Sequence, residues 1–158
     1  MSFYSLFAQK QVRVSPADFK SLLGMWQGSL TYLDYSSGKP YTMGADIDIK
    51  QIGASNSFIF SNTYPKESGA NSIDTMVISK NGKMINGNTV KSKRLLDNGN
   101  TEITTEVLNT DGNDNKSAVL KHTYIIGKNI YINRKEVRFT GQKIWIKRNE
   151  YKYVRMTS

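Results

Sequence analysis

Turn signals recur at short, regular intervals along the whole 158-residue chain. Clusters of Gly, Asn, Asp and Ser stand at nine places, and two of these contain Asn-Gly between alternating apolar runs, at 81–82 and 98–99. An Asn-Gly pair in this setting favours a two-residue hairpin, because both turn residues need a positive φ angle. Nine turns at this spacing predict about ten short strands joined by hairpins.

The segments between the turns alternate between apolar and polar residues. In residues 45–50, Ala45, Ile47 and Ile49 occupy one face of the predicted strand, and residues 101–107 repeat the pattern. Strict alternation indicates one wet face and one buried face. Such strands must pack as a sandwich or close into a barrel, and the short hairpin connections favour the barrel. We therefore predict an all-β fold, an antiparallel up-and-down β-barrel of about 8–10 strands.

A short N-terminal helix is predicted to precede the first strand. Ser15 suits the N-cap, Pro16 suits the first helical position, and Asp18 completes a pattern that resembles a capping box. The apolar residues of the segment 19–23 give the helix a buried stripe, and Gly24 is expected to end it.

Residues 1–9 are apolar up to Ala8 and turn polar at Gln9, like the end of a secretory signal peptide cut after Ala8. Because a basic n-region and a longer apolar core are missing, the segment is either a signal-peptide remnant or a flexible tail. We expect residues 10–158 to form a single domain and the location to be secreted or periplasmic, with the cytoplasm as the alternative. No apolar run approaches the ~18 residues that a membrane-spanning helix needs.

The segment Gly24-Met25-Trp26 opens the first long strand directly after the predicted helix. In an all-β chain of this size, this arrangement resembles the lipocalins and the wider calycin group of ligand-binding barrels. The resemblance implies that Trp26 closes one end of the barrel beneath a basic side chain from a late strand, for which Arg148 and Arg155 are the candidates. The chain lacks the Cys pair that many lipocalins carry, so the resemblance indicates a lipocalin-like domain rather than a typical member of that family.

The predicted inner face supplies candidate ligand-binding residues, because barrels of about 8–10 strands can enclose one small ligand. Parity along the strands places a set of aromatic and apolar side chains inside. The candidates on the earlier strands are Tyr32, Phe58, Phe60, Met76 and Tyr124, and parity also places Ile132 inside.

The last strand allows two arrangements. Without a bulge Arg148 points inward, where a ligand carboxylate or phosphate could pair with it, or Glu150 or Asp34 could do so instead. With a bulge Arg148 turns outward and Tyr151, Tyr153 and Arg155 turn inward. Parity leaves both arrangements open, and the candidate ligand-binding set therefore includes Arg148, Tyr151 and Tyr153, with Arg155 kept for closing the barrel.

Metal, cofactor and catalytic signals are few. The chain has no cysteine and a single histidine, which argues against a structural zinc site. His122 could hold haem, as one histidine does in some barrels of this shape, but a lone histidine on a mostly apolar strand face favours a structural role. We assign no cofactor, no metal ligand and no catalytic residue, since neither a nucleophile elbow nor a phosphate-binding loop is present.

Three hypotheses about function follow. The formal net charge of +9 favours anionic partners. The leading hypothesis is non-enzymatic binding of a small hydrophobic or amphipathic, anionic ligand such as a fatty acid, by a monomer or homodimer. The alternative is a basic surface that binds nucleic acid or a membrane or envelope, although no nucleic-acid motif is present. The third is a calycin-type enzyme acting on a hydrophobic substrate, with Arg148 and Glu150 as the one candidate pair.

Overall fold

The computed structural model describes residues 11–157, and ten antiparallel strands within them form one sheet. The predicted remnant or tail at residues 1–9 lies outside the described residues. The strands are β1 (Gly24–Leu33), β2 (Pro40–Gln51), β3 (Ser57–Thr63), β4 (Ser72–Val77), β5 (Met84–Ile85), β6 (Asn88–Leu95), β7 (Thr101–Asp111), β8 (Lys116–Ile126), β9 (Ile130–Phe139) and β10 (Ile146–Arg155). The all-β prediction is confirmed.

The sheet curls into a nearly closed up-and-down barrel, as the hairpin spacing predicted. The strand order is β4-β3-β2-β1-β10-β9-β8-β7-β6-β5. Each strand therefore pairs with a neighbour in sequence except at the pairing of β1 with β10, and β4 and β5 form the two edges of the sheet. Its two edges meet at a single place: the backbone N–H of Asn86 donates to the carbonyl of Val77 (2.9 Å), and Ile78 bridges Ile85. Within the described residues, the rest of β4 pairs only with β3.

Two short 3₁₀ helices, η1 (Pro16–Leu22) and η2 (Ser68–Ala70), accompany the strands. In η1 the carboxylate of Asp18 accepts the backbone N–H of Ser15 at 2.8 Å, which is half of the predicted capping box. Gly24 does not end this helix, which closes at Leu22. It starts β1 with φ +113°, and a Cβ there would lie 3.3 Å from Nη1 of Arg155.

The barrel interior holds two apolar clusters rather than one. The larger cluster fills the end that η1 covers, where Phe19 and Leu22 are fully buried. The smaller cluster consists of Ala118, Leu120 and Val137 at the far end of β8 and β9. Between the two clusters lies a row of polar residues at inward-facing positions, which we call the polar row. Its members pair across β7 to β10 and are Thr105, His122, Lys135 and Asn149.

The prediction for β9 is wrong by one residue. Tyr131, not Ile132, faces the interior, where it is 1% exposed and contacts the ring of Trp26 edge-on. Ile132 pairs with Ile125 and Lys152 on the outer face. Both faces of this strand carry apolar side chains, so alternation alone could not show which face of β9 points inward.

Candidate ligand cavity in the barrel

A β-bulge decides the orientation of the last strand. The pairing of β10 with β9 shifts register between Lys147 and Asn149, and the shift turns Tyr151 and Tyr153 inward. A bulge inserts one extra residue and therefore exchanges the two faces of the strand beyond it. The structure contains the bulge, with Tyr151 and Tyr153 inward as the bulged arrangement predicted. The outward orientation predicted for Arg148 in that arrangement is wrong, because its side chain is only 10% exposed and pairs with the buried carboxylate of Asp111.

Trp26 and Arg155 close one end of the barrel. The indole N–H of Trp26 donates to the carbonyl of Leu22 at 2.8 Å, and the guanidinium carbon of Arg155 lies 4.1 Å from the ring centroid of Trp26. Arg155 also donates to the backbone carbonyls of Ser21, Leu23 (2.9 Å) and Lys128 (3.0 Å). The basic side chain over the tryptophan is therefore Arg155, and Arg148 lies elsewhere.

A cavity of about 150 Å³ lies above this closed end. Four tyrosines contribute to its wall: Tyr124, Tyr131, Tyr151 and Tyr153. Its apolar lining consists of Ile47, Phe60 and Met76, and its other polar lining of Asn62, Asp74, Thr75, Asn86 and Asn133. The cavity thus combines aromatic walls with several hydrogen-bonding groups, as small-molecule sites commonly do.

Three of the tyrosines form a stack along the wall of the cavity. The rings of Tyr131 and Tyr153 lie 5.6 Å apart at 14°, and those of Tyr153 and Tyr151 lie 5.8 Å apart at 11°. Close approach of β1 to β10 supports this stack: a Cβ on Gly28 would lie 1.9 Å from the carbonyl oxygen of Lys152. Glycine is therefore required opposite Tyr153.

The phenol groups of this wall stay protonated. Burial raises the pKa of Tyr124 to about 12. Burial also raises the pKa of Tyr151, and a hydrogen bond to Tyr64 and the negative charge of Asp74 add to the effect. The hydroxyl groups of Tyr64 and Tyr151 are 2.9 Å apart. The tyrosines therefore act as neutral hydrogen-bonding groups at neutral pH.

The cavity reaches solvent beside the unpaired stretch of β4. Three of its lining residues, Asp74, Thr75 and Asn86, are exposed on the barrel surface. The sheet edges meet only below this point, at Val77 and Ile78. The gap between the edges, which we call the side portal and define by Asp74, Thr75 and Asn86, connects the cavity with the outside.

Five of the eight candidate ligand-binding residues line this cavity: Phe60, Met76, Tyr124, Tyr151 and Tyr153. The other three lie apart from it. Phe58 is fully buried against Phe19 in the larger cluster. Tyr32 is half-buried and packs on Tyr41, with 5.5 Å between the ring centroids. Arg148 lies at the opposite end of the barrel from Trp26.

Arg148 is bound by the carboxylate of Asp111, which the sequence analysis did not name as a partner. Its Nε atom lies 2.8 Å from Asp111, whose carboxylate also accepts the hydroxyl of Tyr35 at 3.1 Å and lies 3.8 Å from Nζ of Lys135. Asp34, one of the proposed partners of Arg148, instead accepts hydrogen bonds from residues of its own turn. An internal acid thus occupies the position expected for an anionic ligand head.

The candidate pair of Arg148 and Glu150 does not form. Glu150 points to the outer face, where its carboxylate contacts Arg134 (2.5 Å), Lys152 (3.4 Å) and Lys147 (3.5 Å). Hydrogen bonding to Arg134 lowers the pKa of Glu150 although burial opposes it. A carboxylate held between three cations stays ionised, which leaves the enzyme hypothesis without the acid–base pair on which it depended.

His122 lies in the polar row, and its Nδ1 atom is buried without a hydrogen-bond partner among the described residues. Burial lowers the pKa of His122, and the nearby charge of Lys135 lowers it further. His122 does not line the cavity. Haem binding through this residue stays a prediction. Within residues 11–157, no group of three or more His, Asp or Glu side chains is placed to hold a metal ion.

Asn62, Asp74, Tyr131 and Asn133 are among the polar groups of the cavity wall that the sequence analysis missed. Two of them could have been found, because Asn62 continues the parity of Phe58 and Phe60, and Asp74 that of Met76. These two residues were overlooked because only apolar residues were assigned to the inward face of each strand. The other two are on β9, where the face was assigned incorrectly.

No protein-family model matches the chain, and no curated protein matches it significantly. Among solved structures, the chain is similar to Rv2717c from M. tuberculosis, with 13% identity and a TM-score of 0.52 over 89% of this chain and 96% of that one. It also matches a protein with unknown function of the DUF3598 family from Nostoc punctiforme, with 11% identity and a TM-score of 0.38 over 91% of this chain and 50% of that one. The first similarity concerns the fold alone. The chain fits a calycin-like barrel in general terms.

No helix within the described residues has the length and apolar character needed to cross a membrane.

Proposed function

We propose that this protein binds a small amphipathic molecule, without catalysis, in the tyrosine-lined cavity of a lipocalin-like barrel. The observation that carries the proposal is the cavity itself, about 150 Å³ in volume and connected with solvent by the side portal. A barrel that only needed a core would fill this space with aliphatic side chains. Here the space is bordered by phenol and amide groups instead.

The volume limits the size of the ligand. An engineered apolar cavity of about 150 Å³ takes up benzene, and drug-sized ligands occupy about 300–1,000 Å³. The cavity therefore suits a single aromatic ring with a short polar substituent. A fatty acid, the example that the sequence favoured, has room for only part of its chain in this space.

The chemistry of the wall suits binding rather than catalysis. General acid–base catalysis is most efficient when the pKa of the catalytic group lies near the working pH. The phenols of the wall have their pKa values raised well above neutrality, Tyr124 to about 12. They can orient a ligand by hydrogen bonds, and their rings can stack on it.

The proposal is tested by following the methyl signal of Met76 by NMR while 2-phenylethanol is added. Met76 lines the cavity and is 3% exposed, whereas Met25 is 57% exposed on the outer face and serves as the reference methyl. We expect a saturable shift of the Met76 signal and none of the Met25 signal. The absence of a saturable Met76 shift up to the solubility limit of the alcohol would overturn the proposal.

A variant at the side portal gives an independent test. Thr75→Trp places a large side chain at a residue that lines the portal. Ile73→Trp places the same side chain two residues away on the same face of β4, at a residue outside the cavity lining. Both residues are exposed, so both variants are expected to fold. Thr75→Trp should weaken binding of 2-phenylethanol and Ile73→Trp should leave it unchanged. Equal binding by the two variants would contradict entry through the portal.

A second candidate function is binding to an anionic surface, and one observation favours it. On the outer face, Nζ of Lys121 and the guanidinium carbon of Arg138 lie 4.2 and 4.7 Å from the ring centroid of Trp145, beside Ile144, which is 73% exposed. Cations with an exposed aliphatic side chain suit an anionic bilayer. The protein should sediment with phosphatidylserine vesicles, and the sedimented fraction should decrease as the salt concentration rises. Ile144→Ser should also decrease it. Equal sedimentation with phosphatidylcholine vesicles would exclude this function.

A further inference from the structure

We propose that the ligand of the tyrosine-lined cavity carries an amino group and binds as a cation, with the Asp74 carboxylate as its counter-ion at the side portal. The inference rests on the proposed function and adds the chemical class of the ligand, a compact aromatic amine. It reverses the charge that the composition of the chain favoured.

The charge of the cavity is opposite to that of the whole protein. The chain carries a net charge of +9, yet Asp74 is the one charged residue among the described residues that line the cavity. The cations that might have attracted an anionic ligand are held elsewhere, since Arg148 and Lys135 contact Asp111. An anion in the cavity would face a carboxylate with no compensating positive group, which is a costly arrangement in a partly desolvated site.

Neutral groups fix the Asp74 side chain in place. Its Oδ2 atom accepts hydrogen bonds from the side-chain amide of Asn62 (2.7 Å) and the hydroxyl of Ser72 (3.3 Å). Among residues 11–157, no lysine or arginine forms a salt bridge with it. The carboxylate is therefore oriented but not neutralised, and it retains its capacity to pair with a ligand cation.

The remainder of the wall also suits an ammonium group. An ammonium ion has three N–H donors and no acceptor, so it needs several oxygen acceptors around it. The cavity offers the carboxylate of Asp74, the side-chain oxygens of Asn62 and Asn133, and phenol oxygens. Aromatic rings add attraction for cations that approach their faces.

Three ligands of matched shape test the inference: 2-phenylethylamine, 2-phenylethanol and 3-phenylpropanoate. They share the ring and differ at the end of a short chain, which is cationic, neutral or anionic at neutral pH. Binding is measured by the Met76 methyl shift and by titration calorimetry in low salt. We expect the amine to bind tightest and the carboxylate weakest.

Asp74→Asn should weaken binding of the amine by roughly tenfold, the effect of losing one charge-assisted hydrogen bond. It should leave binding of 2-phenylethanol unchanged, which also shows that the variant is folded. Asp48→Asn is the matched control, because it makes the same change of net charge on the outer face of β2, where Asp48 pairs with Lys50 at 3.3 Å. That control should bind the amine like the unaltered protein.

The outcomes separate the inference from the proposed function. If the alcohol binds but the carboxylate binds as tightly as the amine, or if Asp74→Asn leaves the amine affinity unchanged, the inference is wrong and the proposed function stands. If none of the three ligands shifts the Met76 signal, the proposed function itself fails, and the inference fails with it.

Discussion

The closed end of the barrel and the cavity above it use similar side chains to different effect. At the closed end, the polar groups of Trp26 and Arg155 all bind backbone carbonyls, those of Ser21, Leu22, Leu23 and Lys128. Each nitrogen of the indole and of the guanidinium thus donates to the chain itself, and the space is filled by packed rings. This end therefore contributes stability and closes the barrel.

In the cavity, the side chains of Asn62, Asp74 and Tyr151 bind other side chains rather than the backbone. The hydroxyls of Tyr64 and Tyr151 are paired, and Asn62 is paired with Asp74. Each pair leaves hydrogen-bonding capacity unused, because hydroxyl, amide and carboxylate groups can form more than one hydrogen bond. The two adjoining regions therefore have similar aromatic content but differ in their polar groups. Those of the closed end bind the backbone, whereas those of the cavity keep hydrogen-bonding capacity for a ligand.

The largest effect on stability is expected for Trp26→Ala. The side chain is fully buried, so its removal should lower the free energy of unfolding by about 3–5 kcal/mol, measured by urea denaturation. A comparable loss in Tyr151→Ala would break the contrast between the two regions, since Tyr151 borders a cavity and is only half-buried.

Gly28→Ala should have the next largest effect. The new methyl group would collide with the backbone of β10, where the carbonyl oxygen of Lys152 is 1.9 Å away, so β1 and β10 must separate. We expect a loss of about 1–3 kcal/mol in the free energy of unfolding, as for other overpacked sites. Because Tyr153 is opposite Gly28, the variant should also weaken binding of 2-phenylethylamine. Gly44→Ala is the control, because a Cβ there would make only an ordinary van der Waals contact with Pro65, at 3.9 Å, and its φ is not positive. Unchanged stability in Gly28→Ala would show that the two strands separate without cost.

Local sequence patterns were sufficient for the barrel and for half of the cavity. Turn chemistry and alternation act over a few residues, so they predicted the hairpins and placed Phe60, Met76 and Tyr124 on the correct face. The bulge in β10 was only one of two alternatives, because a bulge depends on the strand opposite. The face of β9 was assigned wrongly for the same reason, since Ile132 is covered by neighbours in other strands.

Contacts made by barrel closure were beyond a single sequence. Asp111 binds Arg148 across 37 positions of the chain, and Tyr64 meets Tyr151 across 87. Nothing in the local sequence around Asp111 distinguishes a carboxylate at the end of a strand from one in a turn. The position of Asp74 at the side portal depends likewise on where the two sheet edges meet, which is decided by tertiary packing.

A smaller effect on stability is expected for Tyr64→Phe, which tests a hydrogen bond of the cavity region against the packing of the closed end. The change removes the hydrogen bond to the hydroxyl of Tyr151 and should lower the free energy of unfolding by about 0.5–1.5 kcal/mol. The freed hydroxyl of Tyr151 can then bind a ligand, so affinity for 2-phenylethylamine should be maintained or increased. Tyr41→Phe, at a half-exposed tyrosine outside the cavity, is the matched control and should alter neither quantity. A loss as large as that of Trp26→Ala would mean that the cavity wall is as essential to folding as the closed end.

The smallest effect concerns His122, in the polar row that lies beyond the cavity. Burial, and then the positive charge of Lys135, lowers the pKa of His122 in the folded protein, so the unfolded chain takes up a proton at a higher pH than the folded protein does. Its contribution to stability is therefore complete above the unfolded pKa of about 6.5 and declines as the pH falls below that value towards the folded pKa. The groups that face it are Thr105 on β7 and Lys135 on β9. Urea denaturation between pH 7.5 and 5.5 should show this decline, and His122→Gln should remove it, because the chain has one histidine and most carboxylates titrate lower. An equal decline in His122→Gln would place the titrating group elsewhere, and a rise in stability on acidification would mean that the imidazole has a negatively charged partner in the folded barrel.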